Sequence, residues 1–90
     1  MQIIYDPAKR DRTLAERGLD FADAALVLDG PVWEFADVRT DYGEERMTSI
    51  GFLRERMVVV VWTWRDEDCH VISMRKANSR ERRKYGLYLD

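Results

Sequence analysis

The sequence predicts an α+β fold: a small antiparallel β-sheet with an N-terminal helical hairpin and a C-terminal helix, in the order β-α-α-β-β-β-β-α. Three observations carry this. Apolar, β-prone segments follow one another from residue 32 to residue 74 with short connections, the mark of an antiparallel meander. Two helical stretches precede them, each opened by an aspartate and stopped at a glycine. A third helical stretch follows, with Asn78 or Ser79 as its cap. The helices must cover one sheet face to bury it.

Taken in order, Ile3, Ile4 and Tyr5 form a short strand. Asp6-Pro7 starts a helix: Asp caps free backbone N–H groups, and Pro fits the first helical position. This helix covers 7–17 and ends at Gly18. Its apolar face is weak, with Ala8, Leu14 and Ala15 the main candidates, while Lys9, Arg10, Arg12, Glu16 and Arg17 read as solvated. Asp20 caps a second helix over 21–29, in which Phe21, Ala24, Ala25 and Leu28 make one buried stripe. Asp29-Gly30-Pro31 stops it. Val32–Val38 is the first long strand, and Arg39–Glu45 a polar turn. Arg46–Phe52 is the next strand, and Leu53-Arg54-Glu55 a tight connection. Met57–Trp64 is apolar on both faces and reads as a central strand. Arg65–Asp68 is an acidic hairpin turn, and Cys69–Met74 the last strand. The final helix covers 79–85 and ends at Gly86; with Asn78 as cap, Glu81 completes a capping box.

Ninety residues predict one domain, 1–90, small enough that a partner is expected to help its stability. An apolar content of 46% excludes a fully disordered chain. The charged content of 36% implies a heavily charged surface, although net charge is only −2. The one cysteine, Cys69, allows no intrachain disulfide and fits a reducing cytoplasm. One Cys and one His build no metal cluster, and no cofactor motif is present. MQIIYDPAKR has no apolar core of a signal peptide, and MVVVVW (57–62) is too short to span a membrane.

The informative stretch is ISMRKANSRERRKYG (72–86). It packs Arg75, Lys76, Arg80, Arg82, Arg83 and Lys84 against a single Glu81. A charged terminal helix is more often a solvated face than a site. Arg75 weakens that reading, because it extends a core strand and so has a fixed origin and direction. Arg65 ends the neighbouring strand, and hairpin pairing is expected to bring it near Arg75. Two converging guanidiniums suit phosphate, since each planar fork donates two parallel hydrogen bonds. An acidic ligand, a nucleic-acid backbone or an acidic partner protein all fit that chemistry. Strand parity puts His70 opposite Arg75 unless a bulge intervenes. Trp62 and Trp64 share one strand face, as core, base-stacking or partner-anchoring residues. Glu44-Glu45 and Asp66-Glu67-Asp68 sit in predicted turns and read as turn and solubility residues.

The chain resembles the BrnT family of toxins from type II toxin–antitoxin modules. The resemblance runs through YDPAK (5–9), RGLDFADAALVL (17–28), GEERMTSIG (43–51), VVVVWT (58–63) and ISMRKANSRERRKYG (72–86). It implies a RelE-like fold and a ribonuclease that blocks translation. It also implies neutralisation by a BrnA-type antitoxin, so that DNA is met only through the antitoxin. Carried over, the family's T-x-R arginine falls on Arg65 and its I-S-x-R arginine on Arg75. GEER supplies Glu45 and Arg46, and the basic helix supplies Arg80, Glu81, Arg82 and Tyr85. The family often has a Glu where this chain has Trp64, and a cation where it has His70.

Metal-free RNA cleavage uses the adjacent 2′-hydroxyl as nucleophile. The expected catalytic set is Arg65 and Arg75, to stabilise phosphoryl charge, with Glu45 and Lys76. Guanidinium stays protonated, so base and acid come from Glu45, Lys76, His70, Tyr85 or water. Arg46, Arg80, Arg82, Arg83 and Tyr85 form the expected RNA-binding set. Two other readings stand beside this one. The chain is a binding module that only docks an antitoxin, or, ranked last for want of a helix-turn-helix, a small DNA-binding repressor.

Overall fold

In a computed structural model of the chain, which describes residues 2–37 and 45–89, five strands form one sheet in the order β1-β5-β4-β3-β2. The elements are β1 (Ile3–Ile4), α1 (Pro7–Arg17), a 3-10 turn (Phe21–Asp23) running into α2 (Ala24–Leu28), β2 (Val32–Asp37), β3 (Arg46–Leu53), β4 (Arg56–Arg65), β5 (Asp68–Lys76) and α3 (Ser79–Leu89). The expected turn over Arg39–Glu45 lies mostly outside the described residues. β2 to β5 pair antiparallel, but β1 pairs parallel with β5, so the sheet is mixed rather than wholly antiparallel. No helix among the described residues is long and apolar enough to cross a membrane.

The helix signals act as read at the first helix. Asp6 accepts from the Ala8 N–H at 3.0 Å, and Gly18 closes α1 in the left-handed conformation, φ 70°. The second helical segment differs from expectation. It begins as a 3-10 turn, capped by Asp20 on Ala22 N–H at 2.9 Å, and only then becomes α2. It meets α1 through its 3-10 turn. α2 lies on β3, where Gly51 permits close approach: a Cβ there would meet Val32 Cγ1 at 2.9 Å and Val27 Cγ1 at 3.1 Å. α3 runs through Gly86 to Leu89 instead of stopping at residue 86.

Cross-strand partners share a face, so the register sorts every side chain. Val58, Val60 and Trp62 of β4 join Cys69, Val71 and Met74 of β5 on one face, under Phe21, Ala24 and Val27. Each fully buried aliphatic or aromatic side chain there contributes roughly 1.5–3 kcal/mol. A polar chain runs from this face to the surface: Trp62 Nε1 donates to the buried Ser49 Oγ at 2.8 Å, and Ser49 donates to the exposed Glu34. The opposite face carries a smaller cluster of Ile50, Met57, Val59, Ala77 and Tyr85, with Tyr85 brought in by α3.

β5 changes parity midway. Val61 pairs with Ser73, but Trp62 pairs with Val71, so Ile72 is an extra residue. The bulge moves His70 onto the same face as Arg75, whereas a regular strand would have opposed them.

α1 is a polar helix laid against β5. None of its residues is buried, and Leu14 is 38% exposed, so the expected apolar face of Ala8, Leu14 and Ala15 does not hold it down. Polar anchors do: Arg17 Nη1 donates to the Met74 carbonyl at 2.8 Å, and Arg10 grips Asp20 through Nε and Nη2 at 2.9 and 2.8 Å. These bonds, with that to Ala22 N–H, hold Asp20's carboxyl below its ordinary range.

Candidate nucleic-acid interface

The less-covered face of the sheet is a groove between α1 and α3. One half, about 450 Å³, is lined by Lys9, Arg12, Thr13, Glu16 and Arg17 of α1 and by Arg46, Thr48, Val61, Ile72 and Ser73 of the sheet. The other half, about 340 Å³, is lined by Phe35, Thr48, Ile50, Val59, Val61 and Arg75, with Arg80, Glu81, Lys84 and Tyr85 of α3. Thr48 and Val61 belong to both halves, which makes the groove continuous across the sheet. Seven cations line it (Lys9, Arg12, Arg17, Arg46, Arg75, Arg80, Lys84) against two carboxylates, Glu16 and Glu81.

One of those carboxylates is already matched. Arg75 donates from Nη1 and Nη2 to the two oxygens of Glu81, both at 2.8 Å. This fork-to-fork pairing is the strong form of an ion pair. Chiefly through these hydrogen bonds, it pulls Glu81's carboxyl below its ordinary range and raises Arg75. Glu81 also closes the capping box read from the sequence: its Oε1 accepts from Asn78 N–H at 2.9 Å, and Asn78 Oδ1 accepts from Glu81 N–H at 2.8 Å. The cap of α3 and the orientation of Arg75 are thus one network. The pairing uses two of Arg75's five N–H donors, and a longer contact from Nη1 to the Lys76 carbonyl at 3.5 Å engages a third, leaving two for another acceptor.

The expected partnership of Arg65 and Arg75 is not formed. Both stand on the groove face, but Arg65 pairs with Asp68 beside the turn, whereas Arg75 pairs with Val59. Val59 and Arg65 are six positions apart on β4, about 20 Å at strand rise. A tight hairpin brings only its turn-proximal residues together, and Arg75 lies at the far end of its strand. His70 pairs with Thr63, four positions along β4 from Val59, so the bulge gives it Arg75's face without bringing the two into contact.

The other expected residues divide. Arg46, Arg75, Arg80 and Tyr85 line the groove. Tyr85 is buried against Trp33, and Lys84 Nζ stands 5.2 Å from its ring centroid. Glu45 is exposed, and its carbonyl accepts from Thr63 Oγ1 at 2.8 Å. Lys76 and Arg82 line a separate depression with Glu55, Arg56, Met57 and Ala77, and Arg82 Nη1 donates to the Ala77 carbonyl at 2.9 Å. Arg83 is exposed and is not among the groove-lining residues. Trp62 and Trp64, in edge contact at 5.1 Å, stand on the face opposite the groove. Among the described residues, no three His, Cys, Asp or Glu side chains gather as a metal site.

Sequence reasoning missed Lys9, Arg12 and Arg17 as site residues. The signal was present: residues 9, 12, 13, 16 and 17 recur at helical spacing on a helix with little apolar face to bury.

A family model described as "Ribonuclease toxin, BrnT, of type II toxin-antitoxin system" matches residues 5–81. No curated protein matches the chain. The family match covers most of the sequence, and the chain belongs to this family of ribonuclease toxins, whose systems pair the toxin with an antitoxin.

Proposed function

We propose that this BrnT-family chain is an endoribonuclease that cleaves RNA without a metal and thereby inhibits translation. In this reading the RNA strand lies in the groove between α1 and α3. What carries the proposal is the excess of cations lining that groove on rigid elements. A surface of one sign raises the local concentration of a polyanion. Attack by the 2′-hydroxyl places negative charge on the phosphoryl oxygens. Arg75 is the residue best placed to meet it: it projects from β5 into the groove, fixed by Glu81, with donors to spare. Arg46, from β3, meets the strand in the other half. The RelE-like assignment fits the helices and the α+β sheet, and stands with the proposal.

Arg65 falls outside this phosphate clamp, so its part is at the hairpin end of the strand's path, near His70 and Glu45 rather than near Arg75. Lys76 and Arg82 line the neighbouring depression and are not needed to hold the strand. Base and acid come from Glu45, His70, Tyr85 or water. A BrnA-type antitoxin neutralises the toxin by covering the same groove with acidic residues, which makes inhibition competitive with RNA.

A second reading has one observation in its favour. Glu81 already occupies the Arg75 fork where a phosphate oxygen would bind. A catalytically weak copy that only docks its antitoxin would keep that lock closed. Cleavage of single-stranded RNA by the purified protein separates the two. Turnover that falls by about 10²–10³ in Arg75→Ala supports the ribonuclease; full activity in that variant removes Arg75 from the mechanism. An absence of turnover in wild-type protein that still binds the antitoxin favours the docking module.

A further inference from the structure

We infer that the half of the groove between β2 and α3 is a nucleobase subsite, in which Phe35 is the stacking platform for one unpaired base of single-stranded RNA. The inference rests on the reading of the groove as an RNA path and specifies what lies in one part of it.

The two halves differ in kind. The α1 half is lined by cations and hydroxyls and suits phosphate and ribose. The α3 half has an apolar floor of Ile50, Val59 and Val61, and Phe35 is its wall on the β2 side. Phe35 is 42% exposed. Its cross-strand partner is Thr48, too small to cover a phenyl ring. Trp33, two positions earlier on the same face, is held by Tyr88 and Tyr85 at 5.0 and 6.0 Å. Among the described residues, no such ring packs on Phe35. Arg80 and Lys84 project into the same compartment from α3.

A bare aromatic face beside cations is the arrangement that single-stranded nucleic acid uses: the base stacks on the ring and the flanking phosphates meet the cations. The volume, about 340 Å³, is at the lower end of small-ligand pockets, roughly 300–1,000 Å³. It takes one nucleoside, not a base pair. In a duplex both faces of each base are already covered by neighbours, so only an unpaired base can use the platform. Stacking tolerates any base, because every base has a π-face. An apolar antitoxin side chain is the competing occupant; the three cations around the ring, Arg75, Arg80 and Lys84, favour the nucleotide.

The test uses short single-stranded RNA, 2′-O-methylated so that it cannot be cleaved, with an abasic site moved through each position in turn. It is bound to wild-type protein, Phe35→Ala and Phe35→Trp. Phe35→Ala is expected to weaken binding roughly 5- to 150-fold, with the salt dependence unchanged, because stacking releases no counterions. Phe35→Trp is expected to retain affinity. One abasic position should weaken wild-type binding yet leave Phe35→Ala indifferent, and the wild-type scan stands alone if the alanine variant does not fold. Salt-sensitive binding that is equal in wild type and Phe35→Ala, with no abasic position mattering, overturns the subsite while leaving the groove as an RNA path. Loss of antitoxin binding alone in Phe35→Ala assigns the ring to the protein interface and also overturns it. A wild-type protein that shows no salt-dependent RNA binding at all defeats the groove reading itself.

Discussion

The two faces of the sheet are made by the same strands and finished differently. On one face, Val58, Val60, Cys69, Val71 and Met74 lie under Phe21, Ala24 and Val27, and even the buried Ser49 has hydrogen-bond partners. On the other, α3 packs on the Ile50–Val59–Tyr85 cluster, which floors one half of a groove lined with cations. Stability resides in the covered face and function in the open one. The covered face excludes water and holds the strands in register; the open face uses that register to aim Arg46, Arg75 and Phe35 at a common space.

Substitutions should separate the faces. The largest effect is expected from Phe21→Ala, which empties the covered face: a loss of about 3–5 kcal/mol in unfolding free energy by denaturant titration, a large share of the stability of a chain this short. Cleavage per folded molecule should survive it. Arg75→Ala should do the converse. Its melting temperature should move far less than that of Phe21→Ala, while turnover falls by the two to three orders of magnitude given above. If both variants lost stability and activity in parallel, the division between the faces would be false.

A smaller effect concerns acid. Asp20 and Glu81 both have folded-state carboxyl pKa values below their ordinary ones, each held down first by an arginine's hydrogen bonds. Such a group stabilises the fold above its unfolded pKa, near 4 for a carboxyl, and that contribution is lost as pH falls through the lower folded value. Melting temperature should therefore drop between about pH 4 and pH 2, beyond the general effect of acid on the chain. Glu81→Gln should flatten the drop and loosen α3, whereas Asp20→Asn should flatten it and loosen α1. Acid profiles of both variants that superimpose on wild type would show that these pairs do not anchor their helices.

Much of this was legible in the residues. The Asp6-Pro7 and Gly18 signals define α1, and Asn78 with Glu81 forms the capping box, because capping is a local matter of spacing and side-chain reach. The strand runs were legible for the same reason: alternation and β-branched residues are local. What was hidden depends on register. Nothing in CHVISMRK announces that Ile72 is an extra residue, yet that bulge decides which face His70 meets. The parallel pairing of β1 is likewise set by docking of the chain's start on β5, with Cys69 N–H donating to the Gln2 carbonyl at 2.8 Å. The misplaced partnership of Arg65 and Arg75 has a different origin. Neighbouring strands do not make neighbouring residues: the short turn over Asp66-Glu67 sets a register that, shifted by one residue at the Ile72 bulge, puts Arg75 opposite Val59, far from Arg65. The groove wall on α1 was overlooked because a polar helix face reads as solvated when no opposing surface is in view.

The most direct test compares the salt dependence of RNA affinity in two paired variants. One, Arg12→Gln with Lys84→Gln, removes one cation from each wall of the groove. The other, Arg56→Gln with Arg82→Gln, neutralises two cations of the neighbouring depression. If the strand runs between α1 and α3, the first variant reduces the slope of log K against log salt by about 1.4, at roughly 0.7 per phosphate contact, and the second leaves it unchanged. A slope reduced by the Arg56 and Arg82 changes and untouched by those at Arg12 and Lys84 would contradict the account.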